Sequence, residues 1–308
     1  MIRDVSLALA SFADDYRIVR RLHDVPPHAV YEVIVDGRRA VCKLESHPAG
    51  DPATEGRILE YVARETSVPV PRVLAVGDDF FLAEWHDGAP VDPTLDAVRA
   101  RAMGETLATL HAETSFASTG LFESDDDGLV LDSRPTWAKT LCALLADCRD
   151  FLEPYGHADV AAEVIAFLRD HPDVLDGAGD PVLLHGNYLS DSVGVDGGDV
   201  SCVIDFEHAL VGSGEYDYVA AAIPTFEGSS RSTTDASAAF RDGYEAVRSL
   251  PDGFDRRVDV YWSVLDVTYL RSLYLQRNWE SRSAADRRAA AFAAHARETL
   301  ASLRSTFE

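Results

Sequence analysis

The residues able to do chemistry gather late in the chain, in the stretch 182–207, VLLHGNYLSDSVGVDGGDVSCVIDFE. Apolar Val182-Leu183-Leu184 runs into His185-Gly186-Asn187. Val193-Gly194-Val195 runs into the turn Asp196-Gly197-Gly198-Asp199, and Val200 to Ile204 ends in Asp205-Phe206-Glu207. The apolar runs have strand length, and polar groups fall where they stop. Loops at strand ends are where a rigid scaffold presents reactive groups, so the stretch reads as a strand-end acidic site. Two further residues stand out earlier. Lys43 lies inside the strand-like run Arg38 to Leu44, and Glu55 lies in the first turns of the helix that follows. Glu55 shares the apolar face of Ile58, Leu59 and Val62. A carboxylate directed towards a core needs a cation, and Lys43 is the natural partner. The alternative is that Glu55 only complements the helix dipole and Lys43 is a solvated strand residue.

The elements that must position these groups follow from local signals. Residues 1–23 suggest a helix and a lead-in strand. Tyr31 to Val35 alternates, Asp36-Gly37 is a hairpin turn, and Arg38 to Leu44 returns. Lys43 then faces away from Cys42 and Leu44. Asp51 as N-cap with Pro52 behind it starts a helix. Val68 to Gly77 reads as loop then strand, Asp78-Asp79 as a turn, and Phe80 to Trp85 as a strand. The break His86 to Pro90 divides a strand-rich first part, 1–87, from a mostly helical second part, 88–308. There, helices are expected over Pro93–His111, Trp137–Glu153, Ala158–Arg169, Tyr216–Ile223, Ser237–Leu250, Arg256–Leu275 and Ala284–Phe307. The acidic run Glu123 to Asp127 reads as a solvated loop.

Composition narrows the partners. The 308 residues carry 52 acids against 28 Lys plus Arg, a net charge of −24, spread along the whole chain. Nucleic acid and anionic membrane would both be repelled. Lys43 and Lys139 are the only lysines. Such a surface is of haloarchaeal type, its self-repulsion screened at high salt. Apolar residues make up 46%, which is globular, and no run reaches the roughly 18 residues of a bilayer span. With no convincing leader, the expected location is cytoplasmic. Cys42, Cys142, Cys148 and Cys202 form no C-x-x-C pair and read as buried thiols. No G-x-S-x-G surrounds a serine, so serine hydrolysis has no support.

Taken in order, these pieces resemble the aminoglycoside phosphotransferase and choline kinase family, small-molecule kinases with a protein-kinase-like fold. The resemblance runs over nearly the whole chain. It rests on Val41-Cys42-Lys43, Glu55, Val68-Pro69-Val70-Pro71-Arg72-Val73, Leu82-Ala83-Glu84-Trp85 and Leu107 to His111, then on His185-Gly186, Ile204-Asp205-Phe206-Glu207, Gly212 and Asp217. It implies a two-lobed α+β fold: a small antiparallel-sheet N-lobe with one helix and a larger, mainly helical C-lobe. It further implies an ATP- and Mg²⁺-dependent transfer of phosphate to a hydroxyl of a small-molecule acceptor. Lys43 would meet the nucleotide phosphates and pair with Glu55. Asp205 would hold Mg²⁺, and the hinge from Glu84 and Trp85 to Gly88 would line the adenine pocket, mostly through backbone. Positioning and neutralisation of oxygen charge are most of what phosphoryl transfer needs.

The chain departs from the family pattern at the catalytic loop. The family has His-Gly-Asp, four residues, then Asn; here Asn187 and Ser192 stand at the two functional positions. Asn187 orients a hydroxyl but cannot take its proton, and a positioned base is typically worth 10²- to 10⁴-fold. Ser192 keeps an oxygen for a metal, and Asp191 beside it either substitutes for a lost carboxylate or is an exposed loop acid. The segment Leu22 to Ala29 holds no glycine where phosphate-covering backbone would want it, and Pro26 and Pro27 remove donors. His23 and His28 are either anion contacts or turn histidines. His185 reads as a structural holder of the loop, His208 as a packed neighbour and His111 as a capping or packing residue. Glu207 is either a second acid near the metal or a local hydrogen-bonding group. The rival to an enzyme is a pseudokinase that binds a nucleotide or metabolite without useful transfer.

Overall fold

The computed structural model describes residues 5–90, 96–125, 128–222, 234–277 and 279–307. A short helix α1 (Val5–Ala10) precedes the strands β1 (Tyr16–Val25), β2 (His28–Val35) and β3 (Arg38–Glu45), the helix α2 (Pro52–Glu65), and the strands β4 (Val73–Val76) and β5 (Phe80–Glu84). The strands form one antiparallel sheet in the order β1-β2-β3-β5-β4. The turn between β2 and β3 has φ of 49° at Asp36 and 75° at Gly37, the two positive values that a tight hairpin requires. The side chain of Asp51 accepts the Thr54 N–H at 2.9 Å and starts α2 as its capping residue.

One face of this sheet buries Val33, Val35, Ala40, Cys42, Leu44, Phe80 and Leu82 with Val5, Ala8 and Leu9 of α1. This is the helix expected within residues 1–23, beside the single helix that the family resemblance implies for this part. The other face carries α2. Its Ile58, Leu59 and Val62 join a core that continues through Leu107, Leu141 and Leu184. The helix bearing Glu55 is therefore packed from both parts of the chain, and burial on two sides fixes its rotation.

The second part is mainly helical. It comprises α3 (Ala97–Glu113), α4 (Trp137–Leu152), α5 (Ala158–Asp170), α6 (Gly214–Ala222), α7 (Thr234–Val247), α8 (Phe254–Gln276) and α9 (Arg282–Phe307). Among them lie β6 (Thr119–Asp125), β7 (Gly128–Arg134), β8 (Pro181–Leu184), β9 (Val193–Asp196), β10 (Asp199–Val203) and β11 (Leu210–Ser213). β7-β6-β11-β8 form one sheet and β9 pairs with β10. No helix among the described residues is long and apolar enough to cross a membrane.

Two expectations need correction. Glu123, Ser124 and Asp125 are not loop but the end of β6, paired with Val130, Leu129 and Gly128; residues 126 and 127 of that run lie outside the described residues. A two-stranded hairpin with acids on its open face hides its alternation behind charge. The helix expected from Pro93 starts at Ala97, where Asp96 accepts the Arg99 N–H at 2.8 Å. Residues 91–95 and Ile223 lie outside the described residues.

Candidate active site

Lys43 sits on β3 with Cys42 and Leu44 turned into the core beneath α1, so its own side chain passes under α2. The ammonium is 7% exposed at the residue level and lies 2.7 Å from Glu55 Oε2, 2.8 Å from Asp205 Oδ1 and 3.2 Å from Glu207 Oε2. Burial would lower the lysine's pKa, but Glu55, Asp205 and Glu207 outweigh it and hold the ammonium charged. Three carboxylates share this one lysine. Burial, opposed by Lys43, pushes Glu55 up to about 8, helped by the charges of Asp205 and Glu207. Burial also pushes on Asp205 and Glu207, yet Lys43 keeps both below the usual carboxylate range. Asp205 has φ of 71°, a left-handed backbone that costs a non-glycine residue energy. That turn ends the β10 segment and accompanies the carboxylate's approach to Lys43.

Glu207 has partners beyond the lysine. His28 Nδ1 lies 2.5 Å from its Oε2, and His208 Nε2 lies 3.3 Å from its Oε1. The expectation of a turn histidine at 28 is thus corrected: the ring is buried at the start of β2, against Glu207 of the second part. His23 is exposed on β1. Ligand atoms of His28, Glu55 and Glu207 lie within 4.8 Å of one another, the spacing of a metal site, but the Lys43 ammonium already stands among them. Towards Asp205 the picture differs, because its side chain is 37% exposed and open to a solute. Asp205, Glu207 and Ser192 offer oxygen donors, which a hard cation such as Mg²⁺ takes. Asp205 and Glu207, both held below the usual carboxylate range, set two negative charges against one ammonium, so the array has charge to spare for a cation and the residues present fit Mg²⁺.

The loop from His185 to Ser192 is organised by backbone bonds. Asp217 on α6 is fully buried and accepts the His185 N–H at 2.7 Å and the Gly186 N–H at 2.9 Å. It also lies 3.2 Å from His111 Nε2, while His111 Nδ1 meets the Tyr244 hydroxyl at 2.9 Å. Burial pushes Asp217 up, but these partners keep it below its ordinary value. His185 Nε2 meets the Ile204 carbonyl at 2.9 Å, which ties the loop to the strand before Asp205. Gly186 has φ of 79°, and a Cβ there would stand 2.0 Å from the His208 carbonyl oxygen. Only glycine fits this crossing. Asn187 is half-buried; its carbonyl accepts the Leu189 N–H at 2.9 Å. Ser192 is buried and its carbonyl accepts the Ile204 N–H at 2.9 Å. Asp191 is exposed and makes no ion pair among the described residues.

Lys43, Glu55 and Asp205 therefore meet, and Ser192 lies beside the strand that delivers Asp205. Glu84 and Trp85 are placed differently. The Glu84 carboxylate pairs with Arg72 on the outer surface, the Trp85 ring lies under the Arg39 guanidinium at 3.5 Å, and its Nε1 donates to Asp87 at 3.0 Å. Their side chains are committed to arginines and an aspartate, so any part in binding falls to the backbone. Even there, the Glu84 N–H is held by the Arg72 carbonyl at 2.8 Å and the Trp85 N–H by the Arg39 carbonyl at 3.1 Å. The Gly88 carbonyl accepts the Ser201 hydroxyl at 2.8 Å, which fastens the hinge to β10. Sequence reasoning missed Arg99. Its Nη2 donates to the carbonyl of Ser190 at 2.8 Å and to that of Val193, on either side of Asp191 and Ser192.

The model of a phosphotransferase enzyme family (APH) matches residues 19–258. No curated protein matches. Among solved structures, a protein described as a fructosamine-3-kinase from Thermobifida fusca superposes with a TM-score of 0.65 at 21% identity, covering 96% of this chain and 98% of that one. The aminoglycoside phosphotransferase APH(4)-Ia superposes with a TM-score of 0.68 at 17% identity, covering 97% of each chain. A mutant of the latter, in a ternary complex with ADP and hygromycin B, gives 0.65 at 16%, covering 96% and 97%. At these identities the structures establish a shared fold, the two-part arrangement of sheet and helices described above. With the family model matched across most of its length, the chain belongs to the phosphotransferase enzyme family.

Proposed function

We propose that the protein is an ATP- and Mg²⁺-dependent phosphotransferase that acts on a hydroxyl of a small molecule, with a nucleotide lobe at 1–87 and a catalytic lobe at 88–308. The observation that carries this reading is the array at Lys43: one buried ammonium within 2.8 Å of both Glu55 and Asp205, carboxylates from two distant segments. Glu55 and Asp205 both hold the lysine at hydrogen-bond distance. A nucleotide's phosphates would compete for the lysine, and Glu55 would keep it aimed. Bound Mg²⁺ would supply neutralisation of phosphate oxygen charge; Asp205 and Ser192 are the residues that would hold it. A relative of the same fold held with ADP and hygromycin B is consistent with a nucleotide and a small acceptor.

On the acceptor side, Asn187 donates or accepts a hydrogen bond and so orients a hydroxyl, but leaves its proton to water or to a neighbouring carboxylate. Asp191 is the nearest acid in sequence. Proton removal can be late when the transition state is loose, so transfer survives without a strong base at 187. Net charge of −24 leaves no role for nucleic acid or an anionic membrane, and the reaction is assigned to the cytoplasm.

The test is a thermal-shift assay in molar KCl followed by a screen of metabolite pools with γ-labelled ATP. Mg²⁺-ATP should raise Tm, and a labelled small molecule should form. A Tm unchanged by Mg²⁺-ATP would sink the reading. A Tm rise with no transfer to any acceptor and no hydrolysis would instead leave a nucleotide-binding pseudokinase.

A further inference from the structure

The hairpin β1–β2 covers the end of the cleft where Lys43, Asp205 and Glu207 converge, yet its tip, Val25-Pro26-Pro27-His28, has no glycine to lay backbone over a phosphate. It inserts a side chain instead. His28 is 3% exposed, and its Nδ1 stands 2.5 Å from Glu207 Oε2. An imidazole N–H donates and a carboxylate oxygen accepts, so the contact runs from Nδ1 to Oε2. The same Oε2 is 3.2 Å from Lys43. One oxygen thus joins the hairpin tip to the lysine.

The seat of the ring is built from a third segment. The Ser46 N–H donates to the Pro27 carbonyl at 2.8 Å, and Gly50 leaves the space that the ring uses. A Cβ on Gly50 would lie 2.8 Å from the Pro27 carbonyl oxygen and 2.9 Å from His28 Nε2. The loop that forms this seat leads straight into α2 and Glu55. Hairpin, seat and Glu207 therefore meet on one imidazole, whose Nε2 has no hydrogen-bond partner.

Resting on the phosphotransferase reading, we infer that His28 is a positioning residue: it clamps the hairpin tip onto Glu207 and so holds Lys43 and Asp205 in place around the phosphates of a bound nucleotide. Without the clamp, Glu207 loses its shortest contact and keeps only Lys43 and the more distant His208, so the array around the lysine is held less firmly. The clamp acts at the phosphate end of the cleft, so its effect should scale with the phosphates and not with the nucleoside.

Calorimetric titration of the whole protein with Mg²⁺-ATP and, separately, with adenosine tests this. An asparagine at 28 can place Nδ2 near the present Nδ1, whereas a glutamine reaches towards Nε2. His28→Ala and His28→Gln should each weaken Mg²⁺-ATP about 10-fold, the scale of a lost charge-assisted hydrogen bond. His28→Asn should stay within about 2-fold of the parent, and adenosine affinity should be unchanged in all three. Gly50→Ala, which pushes the ring from its seat without touching the charges, should resemble His28→Ala. Equal effects of the Asn and Gln variants, or equal losses for adenosine, would overturn the clamp and reduce His28 to packing. Tighter Mg²⁺-ATP binding in His28→Ala would overturn it as well, since the contact would then oppose the nucleotide. Absence of any binding to the parent protein would sink the phosphotransferase reading and the clamp with it; binding that His28 does not influence sinks the clamp alone.

Discussion

The segment ending in Asp205 and the loop from His185 to Ser192 lie side by side, tied by the bond between His185 and the Ile204 carbonyl, but they are held in place by different forces. Asp205 and Glu207 are positioned by charge: Lys43 reaches both, and His28 and His208 flank Glu207. The loop is positioned by backbone hydrogen bonds, from His185 and Gly186 to Asp217 and from Arg99 to Ser190 and Val193. Its own reactive position, Asn187, is neutral. A charge-held array responds to an incoming ion or phosphate, because each new charge redistributes the old ones. A backbone-held loop is rigid before anything binds. Under the proposed function this difference makes a division of labour: the first region would take up nucleotide and metal, and the second would offer the acceptor a fixed, weakly basic surface.

The largest expected effect breaks the charged side. Asp205→Ala removes the partly exposed carboxylate and should abolish transfer, by on the order of 10³-fold or more, as read from γ-phosphate release or label transfer. Activity surviving within 10-fold would mean that the charged array is not where metal and phosphate meet. Next comes the neutral side. Asn187→Asp supplies the missing base and should raise turnover by roughly 10²-fold if the loop geometry is otherwise competent. A fall in turnover would show that Asn187 has a role of its own and that the base lies elsewhere, with Asp191→Asn as the companion measurement. Stability should change most with Asp217→Ala. Removing this carboxylate strands the buried His185 N–H, the partly buried Gly186 N–H and His111, a loss of about 3–5 kcal/mol, or roughly 10 °C in Tm. Asp205→Ala, in contrast, should leave Tm within a few degrees, because its side chain is already partly exposed.

How much of this was legible in the sequence follows the same division. The strand of Lys43, the helix of Glu55 and the hairpin at Asp36-Gly37 could be read because each is a local pattern: alternation, a capped helix start, a tight turn; the roles of Lys43 and Glu55 came from the family resemblance. Asp205 could be read from its place at a strand end. The partners that define the array were beyond reach. Lys43 and Glu207 are 164 residues apart, and no periodicity predicts that His28 reaches the same carboxylate. His28 looked like a turn residue because prolines precede it; in the fold those prolines carry it inward. Glu84 and Trp85 illustrate the reverse error of scale. Their position after β5 is where a hinge belongs, but the arginines that claim their side chains sit on β3 and before β4, contacts that only the folded sheet creates. The strand β6 escaped because it carries acids on an open face.

The smallest prediction sharpens the claim that the loop is fixed in advance. Arg99 reaches it from the first turn of α3, and one guanidinium nitrogen serves two carbonyls that flank Asp191 and Ser192. Nη2 does this with two N–H groups fixed in the guanidinium plane, a set direction that a freely rotating ammonium lacks. Arg99→Lys keeps the charge and loses the fork. If the carbonyls need only a nearby cation, the variant should match the parent. If they need the fork, Tm should fall by a few degrees, about 1 kcal/mol, and the Mg²⁺ concentration giving half of the ATP-induced Tm shift should rise several-fold as Ser192 loses its fixed place. That second readout matters, because a loss of Tm alone would follow from any weakened contact. A changed Mg²⁺ requirement with unchanged adenosine binding would tie Arg99 to the seam between the two regions, where Ser192 and Asp205 adjoin.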